Sequence, residues 1–399
     1  MLKVWKRDSG AVGDITGTWH FTSDVGNSYE ITYNAGGSFN IVGQIVVDCP
    51  GTYTASGTYT YNIGILTLNV TTSDFVCNGP EVGTQQFIVL SLTSSTATLL
   101  SGEPDWTVSA TGASTEAFEI HGSLPSGNPD ENPYVETVQA GLNYLLSRMY
   151  SSPVMQDSTY CPLDDPDMNG NGIGLVCYTD EGHSMYESGI ALMALASSRC
   201  PSCVAAIGIP QVVGRSYRDI AQDMVDYLAY SQSDPYTGLF EGGWRYFGNY
   251  GESDNSCSQW PVIGMESAEV NFGPAGVIVP AFVKSELSLW IDYIQNDFSG
   301  GSGYTDPNEW VNVAKTGGLL CEMKFVGDTV TLARVQNAVE FIYNNWDTEP
   351  EHFAASNYYA FYSVMKGFRL LGIRGYTLST ILRVLTGTVI LLGDMRNTW

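Results

Sequence analysis

The sequence predicts a β + α chain: an antiparallel β part over residues 1–108, a linker over 109–133, and helical hairpin repeats over 134–399. Three observations predict it. Apolar residues alternate with period two from about Ile15 to Val108. A Ser/Gly/Pro/Asn-rich stretch follows, from Ser109 to Pro133. From Tyr134 the period turns helical, and one nine-residue phrase recurs four times.

The β segments come first. ITGTWHFTS, SYEITYNAG, SFNIVGQIVV, GTYTASGTYTY, GILTLNVTT, TQQFIVLSL and a last segment ending TATLL are rich in Thr, Val, Ile and Tyr. Gly, Asn, Asp and Ser separate them, which predicts seven or eight short antiparallel strands. A β-sandwich and a barrel both suit that pattern.

The recurring phrase reads VQAGLNYLL from Val138, AQDMVDYLA from Ala221, LSLWIDYIQ from Leu287 and VQNAVEFIY from Val335. Each copy is followed by a second apolar helix: ESGIALMALASS from Glu187, SQWPVIGMESAE from Ser258, AKTGGLLCEMKFVG from Ala314 and YYAFYSVMKGFRLLG from Tyr358. The second helices carry Gly189, Gly264, Gly317, Gly318 and Gly367, which let helices approach closely. Units of this kind bury their apolar faces only against their neighbours. After Gly372 the phrasing stops where a fifth pair is expected, which points to truncation or a frame change near Arg374.

Composition narrows the function. Formal net charge is −25, from 17 Lys+Arg against 42 Asp+Glu, so phosphate backbones and anionic lipid are repelled. Nucleic acid is excluded as a partner; cations and neutral ligands such as sugars are favoured. No apolar run is long enough to span a membrane. No nucleotide-binding or redox-cofactor motif is expected. The opening MLKVWKRDSG lacks a signal peptide's apolar core, so secretion would need a signal outside this sequence.

Eight cysteines allow local pairs: Cys49 with Cys77, Cys161 with Cys177, Cys200 with Cys203 and, less securely, Cys257 with Cys321. Pairing would place the protein outside the cell or at its surface, and buried free thiols are the alternative. Asn69-Val70-Thr71 is a glycosylation sequon.

Two family resemblances follow from particular residues. Gly17-Thr18-Trp19 opening a meander resembles the lipocalin-like barrels of the calycin group, where the Trp closes the barrel base. HSMYESGIALMALASS, SDNSCSQWPVIGMESAE and AKTGGLLCEMKFVGD resemble the prenyltransferase and squalene-cyclase repeat, with Gln259-Trp260 after Gly243-Trp244 as the most specific match. These resemblances imply a lipocalin-like β-barrel followed by an α/α toroid, with inner helices around a cavity. They do not imply the activity. The cyclase acid motif, the prenyltransferase zinc set and the thioester motif are all missing.

Loops entering the second helices concentrate the unusual residues. His183, Tyr186 and Glu187 precede the first. Glu241, Trp244, Arg245, Tyr246 and Asp254 precede the second, Tyr304 and Trp310 the third, His352 and Tyr358 the fourth. Carboxylates mixed with aromatics suit carbohydrate, because rings stack on sugar faces and two carboxyls can serve as acid and base. Glu187, Asp254 and Glu241 are the candidate acid/base groups, and the ring-bearing residues with Arg245 and His352 the candidate ligand contacts. Asp254 equally suits a helix N-cap. Ser184, in a Gly-His-Ser-Met stretch without a preceding strand, suits a cap better than a nucleophile.

A glycoside hydrolase or lyase is therefore expected, with an apolar, isoprenoid-like ligand in a central cavity, or a purely structural surface role, as alternatives. One motif stands apart. Asp165, Asp167, Asn169 and Asn171 alternate before glycines, like the first half of an EF-hand loop, but position twelve, counted from Asp165, is Val176. This suits a structural calcium site or a plain Asx-turn loop.

Overall fold

The computed structural model describes residues 2–6, 15–22, 28–45, 50–62, 65–73, 83–92, 96–101, 107–128, 130–156, 165–177, 183–273, 276–346 and 358–373. The expectations for Cys49, Cys77, Cys161, His352 and the tail after Arg374 lie outside them. The chain divides into two compact units, Met1–Ser147 with Ala206–Gly208, and Arg148–Ala205 with Ile209–Trp399.

The first unit holds eight strand segments: β1 Leu2–Lys6, β2 Gly17–Thr22, β3 Ser28–Tyr33, β4 Ser38–Ile45, β5 Gly51–Asn62, β6 Ile65–Ser73, β7 Gly83–Leu92 and β8 Thr96–Ser101. The part built on a described core is the five-stranded antiparallel sheet β2–β6. Its apolar cluster is Ile15, Trp19, Ile31, Tyr33, Phe39, Ile41, Ala55, Leu66, Leu68 and Val70. These are alternate residues of each strand, as burial of one sheet face requires. Trp19 is buried, and its indole N–H donates to the Ile15 carbonyl at 2.8 Å. At Gly57 the β5–β6 register shifts, and a Cβ there would lie 2.0 Å from the Asn69 carbonyl oxygen.

The closed, lipocalin-like barrel is not supported. Main-chain pairing runs on through β7 and β8 to β1, but a ring would have to close between β1 and β2. That seam is a single residue pair, Lys6 opposite His20. A barrel needs a ladder on every seam, with shear and tilt to match. Alternation in a sequence tells which face of a strand is buried; it carries no trace of shear.

Two helices complete this unit, α1 Thr107–Ile120 and α2 Val135–Ser147. Most of α1 lies in the stretch expected as a linker. Its buried stripe is Val108, Thr111, Gly112, Thr115, Glu116 and Glu119, at helical spacing. It packs on α2, where a Cβ on Gly141 would lie 2.2 Å from Thr115 Oγ1.

The second unit starts with a hairpin, β9 Met149–Pro153 against β10 Ile173–Cys177. Seven helices follow: α3 Ser184–Ser197, α4 Tyr217–Tyr230, α5 Asn255–Phe272, α6 Ala281–Ile294, α7 Val313–Phe325, α8 Ala333–Asn345 and α9 Tyr358–Leu370. The recurring phrase forms α2, α4, α6 and α8. Three of the starts are fixed by side-chain caps. Ser216 accepts from the Asp219 N–H, Asp254 from that of Cys257 and Asn312 from that of Lys315.

Helices α3, α5, α7 and α9 pack on one another in that order, and α4, α6 and α8 lie against them. Glycines set the close approaches. A Cβ on Gly189 would lie 2.3 Å from the Trp260 carbonyl group, and one on Gly317 2.5 Å from the Val364 nitrogen. The interior between them is filled by Ile190, Met193, Trp260, Ile263 and Cys321, flanked by Tyr186, Tyr359, Tyr362 and Leu370. The expectation of a barrel followed by a toroid around a cavity is thus corrected. Among the described residues the fold is a five-stranded antiparallel sheet not closed into a barrel, further strands paired beyond it, the β9–β10 hairpin and nine α-helices. No described helix is long and apolar enough to cross a membrane.

Candidate functional site

The loops that enter α3, α5 and α7 bring a connected set of rings together. It starts at the surface with Trp310, 71% exposed, whose ring lies 5.5 Å from Tyr304. Trp310 has a φ of 48°, a left-handed conformation that an aromatic residue adopts only when its surroundings impose it. The Tyr304 and Tyr246 hydroxyls are hydrogen-bonded at 2.7 Å. Tyr246 meets His183 at 5.1 Å, Tyr186 at 6.3 Å and Tyr250 at 6.2 Å, and Tyr250 meets the half-exposed Phe247 at 4.6 Å. Inward, Tyr186 touches Trp260 at 6.4 Å, and Trp260 stacks on Tyr362 at 5.8 Å. Rings therefore run without a break from solvent to the core of the second unit.

Arg245 stands among the outer rings. Its guanidinium carbon lies 5.3 Å from the Tyr246 ring centroid, 5.2 Å from Tyr250 and 5.9 Å from Tyr304. It also pairs with Glu252, and its Nε stands 3.8 Å from Asp254 Oδ2. Burial works against its charge, but Asp254, Tyr304 and Glu252 hold its pKa above the ordinary value. Its cation is thus faced by two carboxylates. A second cation, Lys315 Nζ, stands 5.9 Å from the Tyr304 ring centroid.

Asp254 is fully buried beneath the rings. Its Oδ1 accepts from Ser256 Oγ at 2.6 Å and from the Cys257 N–H at 2.8 Å. Ser256 Oγ also meets the Tyr186 hydroxyl at 2.7 Å, so a ring hydroxyl is coupled to the cap through one serine. Burial raises the Asp254 carboxyl above the usual range, outweighing the bonds from Ser256 and Cys257 and the charge of Arg245.

The other expected residues fall elsewhere. Glu187 is buried in the first turn of α3, near enough to Cys177 that its charge adds to the burial that raises that thiol. Glu241 ends the 3₁₀ turn Pro235–Phe240 and makes none of the ring contacts; partial burial raises its carboxyl modestly. No hydrogen bond or ion pair among the described residues links these three carboxyls to one another. Trp244 is not a ligand contact: it is fully buried, and its indole N–H donates to the Leu228 carbonyl at 2.8 Å. Tyr358 begins α9, and its side chain lies outside the described set. Ser184 is buried and starts α3 directly behind His183.

Cys200 and Cys203 form a disulfide across the end of α3. Cys257 and Cys321 are separate buried free thiols, not a pair. They sit on α5 and α7, where burial pushes both above their ordinary pKa. Spacing alone cannot tell two helices that face each other from two whose sulfurs do.

The acidic loop is well defined. Asp167 Oδ1 accepts from the N–H groups of Gly170 at 2.9 Å and Asn171 at 3.2 Å, and its Oδ2 from Gly172 at 2.7 Å. Asp165 Oδ1 accepts only the Asp167 N–H among the bonds of this loop. Asn169 and Asn171 each donate to Asp223 Oδ1 on α4, at 2.7 and 3.0 Å. Among the described residues, no group of three or more His, Cys, Asp or Glu stands in metal-holding geometry.

Sequence reasoning missed Phe247 as part of the ring set, and missed Ser256 and the α4 carboxylates Asp223 and Asp226. Those acids sit inside the recurring phrase, where they read as ordinary repeat positions. The signal lay in a comparison between copies. The sixth phrase position is Asp292 in α6, with a side chain 66% exposed, but the buried Asp226 in α4.

No protein-family model matches this chain, and no curated protein matches its sequence.

Proposed function

We propose that this protein is an extracellular carbohydrate-binding protein that takes neutral glycan on the aromatic rim of its second unit. The observation that carries this reading is the row of surface rings, Trp310, Tyr250 and Phe247, at 71%, 37% and 48% exposure, joined to hydroxyl-bearing Tyr246 and Tyr304. Flat rings cover the C–H faces of a sugar, and phenol and imidazole groups bond to its hydroxyls. Arg245 is already balanced by Glu252 and Asp254, so an anionic sugar gains little there and meets a strongly acidic protein. The disulfide Cys200–Cys203 agrees with an oxidising compartment.

Recognition suits the geometry better than hydrolysis or elimination. Asp254 is fully buried and serves as a cap, while Glu187 is buried close enough to Cys177 for its charge to act on that thiol. A glycosidase needs two carboxyls about 5–10 Å apart facing one cleft. An apolar guest between the helices would have to displace Trp260, Met193 and Tyr362. Titration calorimetry against a panel of neutral and uronate polysaccharides tests the proposal. Heat from at least one neutral glycan and none from uronates is expected; binding confined to uronates, or to none of the panel, overturns it.

A further inference from the structure

We propose that the loop from Asp167 to Ile173, together with Asp226 of α4, is a calcium site. The loop's hydrogen bonds give it a register. In an EF-hand-like loop the first aspartate gathers the N–H groups of the turn, and an invariant glycine stands at position six. Here Asp167 gathers them, not Asp165, which lies two residues ahead of the turn. Counting from Asp167 places Asn169 at position three, Asn171 at five and Gly172 at six. Gly172 has a φ of 71°, in the left-handed region that favours glycine.

Position seven, which supplies a backbone carbonyl in such loops, is Ile173, the first residue of β10. Its register partner is Pro153, which has no N–H, so the Ile173 carbonyl takes no ladder bond from it.

A loop of this kind needs one further carboxylate, usually from position twelve. The fold brings one from α4 instead. Asp226 is fully buried, its Oδ1 accepts from the loop's Met168 N–H at 3.3 Å and from Gln222 Nε2 at 2.7 Å, and its Oδ2 has no partner. A buried carboxylate oxygen without a donor is costly unless something positive meets it. Burial, with the charges of Asp167 and Asp223 adding to it, lifts this carboxyl to about 8 despite those two bonds.

Asp223 plays a different part. Its Oδ2 is paired with Arg215, and its Oδ1 holds both asparagine amides by their NH₂ groups. The donor set is mixed: two carboxylates, two amides and one carbonyl, all oxygen. That suits a hard cation with irregular coordination, and calcium more than magnesium, which demands near-ideal octahedral geometry.

The test uses the full chain, stripped with chelator and dialysed. Calcium chloride is titrated in by calorimetry, and melting is followed with and without the ion. One calcium per chain and a rise in Tm are expected for the wild type. Asp226→Asn is expected to weaken binding at least tenfold while melting, without calcium, no lower than the wild type, because the amide oxygen can still accept from Met168 and Gln222 and carries no charge to bury. Asp219→Asn, which removes an acid on the same helix outside the set, is expected to bind within twofold of the wild type. No heat and no Tm rise in the wild type at millimolar calcium overturns the proposal. Wild-type affinity in Asp226→Asn overturns it as well.

Discussion

Arg245 Nε and Asp254 Oδ2 stand 3.8 Å apart, and neither atom has a hydrogen-bond partner. The pair ties the surface rings to the buried start of α5. Removing the cation leaves Asp254 charged and buried, at a cost of about 3 kcal/mol by analogy with broken buried pairs. Arg245→Met should therefore lower the unfolding free energy by about that amount in urea titration. Asp254→Asn should cost under about 1 kcal/mol, because asparagine caps a helix nearly as well. A double-mutant cycle should show coupling between the two; additive losses would mean that the pair is electrostatically idle.

Glu322 predicts a pH dependence. It is fully buried on α7, both its oxygens lack partners, and burial holds its carboxyl well above the ordinary range, with the charge of Asp254 adding to the effect. The folded pKa lies above the unfolded one. Its contribution to stability is therefore complete below about pH 4.3, where an unfolded glutamate titrates, and is lost as pH rises toward the folded pKa. Asp254 is shifted the same way and adds to the slope. Tm should fall as pH rises from 5 to 8, and Glu322→Gln should flatten that fall. An unchanged slope in the variant would show that Glu322 is not its source.

Gly189 predicts a steric cost. An added methyl would meet the Trp260 carbonyl group at 2.3 Å, and the neighbour is backbone that cannot swing aside. Overpacking of this kind costs about 1–3 kcal/mol. Gly189→Ala should lose at least the middle of that range in chemical denaturation. Gly170→Ala meets no atom within 4 Å and should lose less, through its φ of 71° alone. Equal losses would mean that α3 and α5 do not meet at this glycine.

Much of this fold was legible because its signals are periodic and local. The recurring phrase marks α2, α4, α6 and α8, and Asp254 reads as a cap from its place before an apolar helix. What escaped has physical reasons. Helix α1 buries Thr111, Gly112, Thr115, Glu116 and Glu119, so its stripe has the right spacing but the wrong residue types for hydrophobic periodicity to find. Barrel closure depends on shear, and the one-pair seam between β1 and β2 has no counterpart in the alternation that marks each strand. Trp244 sits in the same loop as Arg245 and Tyr246, yet it faces the core. In an irregular loop no period says which neighbour turns inward. Asp226 was hidden for the opposite reason, since a repeat position looks structural until its burial is known.

The proposed glycan binding depends on the rings at the rim. The most direct measurement is calorimetric binding of the best neutral oligosaccharide to wild type, Trp310→Ala and Phe298→Ala, the last an almost fully exposed ring outside the cluster. An aromatic contact of this kind contributes about 0.5–1.5 kcal/mol beyond the area it buries, so affinity should fall roughly tenfold in Trp310→Ala. Phe298→Ala should bind like the wild type. Equal affinity in all three proteins would contradict the assignment of the rim.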